Sequence, residues 1–89
     1  MEILRSASAG TMESSDAYVE VEPSPVLDVQ IESVVAKQFG DKIDRAVREV
    51  LSDCGVTAAT VRVIDRGALE CVIRARVEAA VARSGGRKQ

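Results

Sequence analysis

The chain has no histidine and no tryptophan, and it has one phenylalanine, one tyrosine, two prolines and two cysteines in 89 residues. Without histidine, neither a Ser-His-Asp nor a Cys-His nucleophile system can be assembled from its own side chains. Histidine-based metal sites are excluded for the same reason. So few aromatic rings cannot build the base-stacking platforms of single-strand nucleic-acid binders. Cys54 and Cys71 have no C-x-x-C spacing and no other soft ligand nearby, so they cannot close a zinc site. Both fall at apolar positions of expected helices and read as buried thiols of a reducing compartment, with a disulfide as the lesser alternative. No uncharged apolar run approaches the ~18–20 residues that span a bilayer. The start, Met1-Glu2-Ile3-Leu4-Arg5, lacks the basic-then-apolar order of a signal peptide. A cytoplasmic setting is therefore expected, with no catalytic residue and no metal ligand set.

What is present is a balanced composition, 46% hydrophobic and 29% charged, with a formal net charge of −2. This fits one domain over residues 1–89. Folding at this size buries only about 60–65% of the surface an unfolded chain exposes, too little to enclose a large active-site cavity. The charge is unevenly placed: residues 1–32 carry seven acids against one base, Arg5, and the rest is net basic. A small net negative charge argues against a nucleic-acid or membrane partner. Arg83, Arg87 and Lys88 mark residues 83–89 as a flexible basic tail.

The hydrophobic pattern changes period along the chain. Residues 6–15 are small and hydroxylic, with no periodicity, and read as an exposed loop. Residues 16–22 alternate, with Val19 and Val21 on one face and Glu20 and Glu22 on the other. Pro23-Ser24-Pro25 ends that strand. Residues 26–32 alternate again, with Leu27, Val29 and Ile31 inward, and an antiparallel hairpin is expected between the two. From about Ser33, the positions Val35, Phe39, Ile43, Ala46, Val47, Val50, Leu51 and Cys54 step by three and four, as on an amphipathic helix. Gly40 interrupts this helix and Gly55 stops it. Residues 57–64 return to strand alternation, and Asp65-Arg66-Gly67 turns the chain. A second helix follows, with Leu69, Val72, Ile73, Val77, Ala80 and Val81 on its stripe, a favourable Glu70–Arg74 pair, and an end at Ser84-Gly85-Gly86. The order strand-strand-helix-strand-helix predicts a two-layer α+β sandwich, a small, mainly antiparallel sheet with two helices on one face. The last strand, reached by a helical crossover, could lie beside its predecessor in parallel or be separated from it by the first strand.

The most unusual segment is Ala9-Gly10-Thr11-Met12-Glu13-Ser14-Ser15-Asp16. With one glycine, no lysine and two carboxylates it does not suit a phosphate-cradling loop. On physical grounds it reads as a turn with side-chain-to-backbone hydrogen bonds. An exposed loop serine can also enter another enzyme's active site. The same segment resembles the N-terminal signature of the citrate lyase acyl carrier protein (gamma chain) family. Lys37-Gln38-Phe39-Gly40-Asp41, Asp65-Arg66-Gly67-Ala68-Leu69-Glu70-Cys71 and Arg74-Ala75-Arg76-Val77-Glu78-Ala79 agree in order, so the resemblance covers nearly the whole chain.

That resemblance implies a non-catalytic carrier subunit. Ser14 would bear a covalent 2'-(5''-phosphoribosyl)-3'-dephospho-CoA arm, with Ser15 as the neighbouring alternative. A dedicated transferase would attach the arm. It would carry acetyl and citryl thioesters between alpha and beta subunits as citrate is cleaved to oxaloacetate and acetate. A carrier of malonate decarboxylase or citramalate lyase is a related alternative, and a regulatory or assembly module without a covalent cofactor is a different one. Glu13, Asp16, Glu20 and Glu22 would form an acidic edge near Ser14, suited to basic partner patches or simply to solvent. Arg74 and Arg76 face opposite sides of the second helix. Arg76, beside the apolar stripe, could reach a phosphate of the arm, snorkel or form an ion pair.

Overall fold

A computed structural model describes residues 2–85. Six elements follow in order: β1 (Ala7–Gly10), β2 (Ala17–Glu22), β3 (Leu27–Ser33), α1 (Ala36–Asp53), β4 (Ala59–Asp65) and α2 (Glu70–Arg83). The four strands form one sheet in the order β1-β2-β4-β3. β1 with β2 and β2 with β4 are antiparallel, and β3 with β4 is parallel. α1 packs over β3, α2 over β1 and β2, and the helices pack on each other. This is the two-layer α+β sandwich expected from the periodicity.

The inward rows of the strands make the core. Val19, Val21, Ala59, Val61 and Val63 are fully buried, and the β-branched valines suit a pleated, covered face. Leu51 and Val47 of α1, and Ile73, Val77, Ala80 and Val81 of α2, close over them. Leu27, Val29 and Ile31 on the edge strand β3 are partly buried against the same core.

Two expectations about the strands are corrected. Residues 7–10, read as part of an exposed loop, are the edge strand β1, and Ala9 is buried against the core. Alanine and serine carry too little hydrophobic contrast for alternation to register in so short a strand. The expected hairpin between β2 and β3 does not form, because β4 lies between them. A tight hairpin needs residues that accept positive φ, and Pro23-Ser24-Pro25 supplies none. Residues 23–26 instead arch across one intervening strand. β3, α1 and β4 then form a parallel unit with a helical crossover.

The helix boundaries and faces differ in detail. Ser33 is the last residue of β3 rather than the start of α1. Its hydroxyl accepts from Val35 N–H at 3.1 Å and donates to Asp65 at 2.7 Å, which holds it in the strand-to-helix turn. Gly55, at φ 74°, ends α1 as expected. The Glu70–Arg74 pair forms at 2.9 Å, and Arg74 also binds Glu49, tying α2 to α1. Phe39 and Leu69, assigned to apolar stripes, are 43% and 72% exposed. The thiols are not joined in a disulfide; Cys54 is half-buried and Cys71 is exposed. Cys71 sits beside Glu70 in the first turn of α2, off the Ile73-Val77 face. Arg83, expected in the tail, is the last helical residue and donates to the Ser8 carbonyl at 3.0 Å. Residues 86–89 of that tail lie outside the described residues. Among the described residues no helix is long and apolar enough to cross a membrane.

Candidate functional site

The register of the sheet determines where the serines lie. Ala17 of β2 and Ser33 of β3 both pair with Asp65 of β4. The β1–β2 connection, the β3–α1 turn and the β4–α2 turn therefore meet at one end of the sheet. Residues 11–16 make the first of these connections, and Ser14 and Ser15 are both exposed within it.

The loop is held from both sides. On the sheet side, Ser15 N–H donates to the Arg66 carbonyl at 2.8 Å, and Arg66 N–H donates to the Asp16 carbonyl at 3.0 Å. Within the loop, Asp16 N–H closes a turn onto the Glu13 carbonyl at 3.1 Å. Ser14 and Ser15 are the central residues of that turn. Ser15 has φ 68°, at the position where type II turns require a positive value. A serine there is strained by about 1–2 kcal/mol relative to glycine. Among the described residues the Ser14 hydroxyl makes no hydrogen bond.

Asp16 is the hub on the other side. The Thr11 hydroxyl donates to Oδ2 at 2.6 Å, and Ala17 N–H donates to Oδ1 at 2.7 Å. Arg76 of α2 clamps both oxygens, Nε to Oδ1 at 3.0 Å and Nη2 to Oδ2 at 3.1 Å. This two-pronged geometry is one that only arginine provides. The Asp16 side chain is 15% exposed. The Thr11 hydroxyl, then Arg76, then Ala17 N–H pull its pKa down to about 2. Thr11 in turn accepts from Glu13 N–H at 3.2 Å. Arg76 thus forms an ion pair, and its guanidinium is committed to the loop.

The depressed pKa gives a pH signature. An unfolded aspartate titrates near ~3.9. Because the folded value is lower, the contribution of Asp16 to loop order is complete above ~4 and is lost as pH falls through about 2. The amide shifts of Glu13, Ser15 and Ala17 are expected to titrate with a midpoint near 2 in the folded chain. A midpoint near ~4 would mean that the clamp does not form.

Gly10 makes the close approach possible. It has φ 93°, and a Cβ there would lie 1.9 Å from the Ala17 carbonyl oxygen and 3.0 Å from Arg76 Cδ. Gly10→Ala therefore combines a disfavoured backbone with a collision against main chain. It is expected to cost roughly 2–4 kcal/mol in chemical denaturation; a cost within the ~0.5 kcal/mol usual at the surface would contradict the packing described.

The expected acidic edge is divided by pairing. Asp16 is paired with Arg76, and Glu20 takes Arg62 at 3.1 Å and the Tyr18 hydroxyl at 3.0 Å, while Glu13 and Glu22 remain exposed. Sequence reasoning missed Thr11 and Gly10 as supports of the loop and Arg66 as its backbone anchor. The adjacent β4–α2 turn is braced by Asp65, a buried carboxylate that accepts from Gly67 N–H, Ala68 N–H and the Ser33 hydroxyl. Among the described residues no group of three potential metal ligands is gathered.

The geometry gives a presented serine on a braced hairpin loop. Residues 4–84 match the family described as malonate decarboxylase delta subunit (MdcD). The citrate lyase acyl carrier protein of Haemophilus influenzae (strain PittGG) is 56% identical over 84 residues, covering 94% of this chain and 88% of that one. The protein of the same name from Escherichia fergusonii is 51% identical over 86 residues, covering 94% and 89%. Citrate lyase acyl carrier protein 2 of Salmonella typhimurium (strain LT2) is 49% identical over the same coverage. In the crystal structure of a Pseudomonas malonate decarboxylase hetero-tetramer in complex with malonate, one chain shares the fold with a TM-score of 0.80. Its sequence identity is 24%, over 96% of this chain and 89% of that one. The chain belongs to the citrate lyase acyl carrier protein family.

Proposed function

We propose that this chain is the acyl carrier subunit of a citrate lyase and that Ser14 carries a 2'-(5''-phosphoribosyl)-3'-dephospho-CoA arm through a phosphodiester. The observation that carries the reading is the presentation of Ser14. Ser14 is exposed, and among the described residues its hydroxyl makes no hydrogen bond, in a turn whose neighbours are tied to β4 and α2. Such a hydroxyl fits covalent attachment by a transferase, since nothing must be broken to free it and the rigid flanks position it. Ser15 is also exposed, but its left-handed backbone and its N–H anchor to Arg66 give it the role of shaping the turn.

When bound, the arm supplies a thiol on which acetyl and citryl groups travel as thioesters between the alpha and beta subunits. The chain's own contribution is tethering and docking. A tethered arm holds its thiol at an effective concentration in the mM range at each partner site. No residue of this chain has to move a proton, consistent with its lack of histidine. The partners are the alpha and beta subunits and the attaching transferase, and the setting is the cytoplasm. Relatives named for citrate lyase at 49–56% identity favour that complex over malonate decarboxylase, whose structure shares 24%.

Reconstitution separates these complexes. Loaded chain added to citrate lyase alpha and beta subunits is expected to restore cleavage of citrate to oxaloacetate and acetate. Failure there, with restoration of malonate decarboxylation by that enzyme's other subunits, would reassign the carrier.

A further inference from the structure

We infer that the groove between the first turns of α1 and α2 is a resting berth for the far, amide-and-thiol end of the arm on Ser14, an inference that rests on that attachment. The groove has a volume of about 220 Å³ and includes Val35, Phe39, Ile43, Leu69 and Ile73 in its lining. It opens at the end of the sheet where the Ser14 loop lies, because the β3–α1 and β4–α2 turns that flank it are there too. The Arg66 carbonyl that holds Ser15 is three residues from Leu69, at most about 11 Å of chain. An arm of nucleotide-plus-pantetheine length spans that distance.

The exposed apolar side chains point to an occupant. Six large apolar residues are exposed among the described residues; four of them, Met12, Val34, Phe39 and Leu69, belong to this end. Size selects which occupant fits. The groove holds the equivalent of about seven waters, suited to a slender aliphatic amide, whereas a partner helix is ~10–12 Å across. Charge agrees. Lys42 lies on the rim, 5.9 Å from the Phe39 ring centroid, and has no carboxylate partner among the described residues, so it complements the arm's phosphates. Of the two acids in the lining, Glu70 is engaged by Arg74, and Asp65 accepts from the Ser33 hydroxyl and from the Gly67 and Ala68 N–H groups.

The test uses isotope-labelled chain loaded with an unlabelled arm, with attachment at Ser14 verified by mass spectrometry. Isotope-filtered NOEs are expected from the arm methylenes to the Phe39 ring and the Leu69 methyls. In a Phe39→Ser/Leu69→Ser variant the arm's NOEs to the groove methyls that remain, those of Val35, Ile43 and Ile73, should vanish. Maleimide alkylation of the arm thiol, referenced to the exposed Cys71 in the same molecule, should then rise at least threefold. Both positions are exposed, so the variant is expected to fold, which apo spectra check. A loaded arm with NOEs confined to residues 10–16 and an unchanged alkylation ratio would overturn the berth and leave the attachment standing. Groove resonances that move only when alpha or beta subunit is added would assign the groove to a partner and also overturn it. Absence of the arm from Ser14 would overturn both readings.

Discussion

Ser14→Ala is expected to take arm loading from complete to undetectable while leaving the fold in place. Ser14 is exposed and its side chain makes no hydrogen bond among the described residues, so the truncation falls in the class of surface changes within ~0.5 kcal/mol. For a domain of this size that is a shift in Tm of no more than about 2–4 °C. Ser15→Ala should load normally. Ser15→Gly should load normally too, and should gain about 1 kcal/mol, because glycine accepts the positive φ that serine adopts with strain. Loading that survives Ser14→Ala and disappears in Ser15→Ala would move the attachment site by one residue.

The second large effect is expected at the clamp. Arg76→Ala removes both donors that reach Asp16 from α2. The loop then keeps its ties to Arg66 but loses its hold on the helix layer. Loading by the transferase is expected to fall roughly 10–100-fold, the range in which a displacement of about 1 Å penalises a positioned reaction. Arg76→Lys should recover part of this, since lysine keeps the charge but not the planar fork. Asp16→Asn should behave like Arg76→Ala, and the double variant should be no worse than either, because the two residues act as one unit. The KM–kcat split is informative: a loop that is present but misplaced lowers kcat, whereas a lost docking charge raises KM. Arg76→Ala is expected to act mainly on kcat.

Much of this architecture could be read from particular residues. The alternation of Val19 and Val21, and of Leu27, Val29 and Ile31, identified two strands and their inward faces, because a period of two has few other causes. The three-and-four spacing from Ile43 to Leu51 did the same for α1. What local pattern could not resolve was which strands pair. β4 takes the centre because Ala59, Val61 and Val63 are all fully buried and Ile64 is buried on the opposite face, and such double burial is a property of the assembled sheet. Phe39 and Leu69 have the right spacing for core positions, but they lie at the first turns of α1 and α2, where they line an open groove and stay exposed. Periodicity reports a face and says nothing about how far along the helix that face is covered.

The site was legible in one respect and hidden in another. Ser14 could be singled out because a signature of small, hydroxylic and acidic residues resembles a known family. Asp16 and Arg76 are 60 positions apart, and nothing in their neighbourhoods pairs them. The signal that could have joined them is chemical. Asp16 lies at the entrance of a buried strand, and Arg76 lies beside an apolar stripe; a charge near a core tends to find an opposite one. Gly10 could be read in the same way, as a residue without a Cβ where two layers approach closely.

The proposed function requires a covalent arm on Ser14. Intact mass spectrometry of the chain, purified from its native host with its partner genes present, tests this most directly. The expected result is a single adduct heavier than phosphopantetheine, mapped to Ser14 by peptide fragmentation. Unmodified chain from a fully active complex would contradict it.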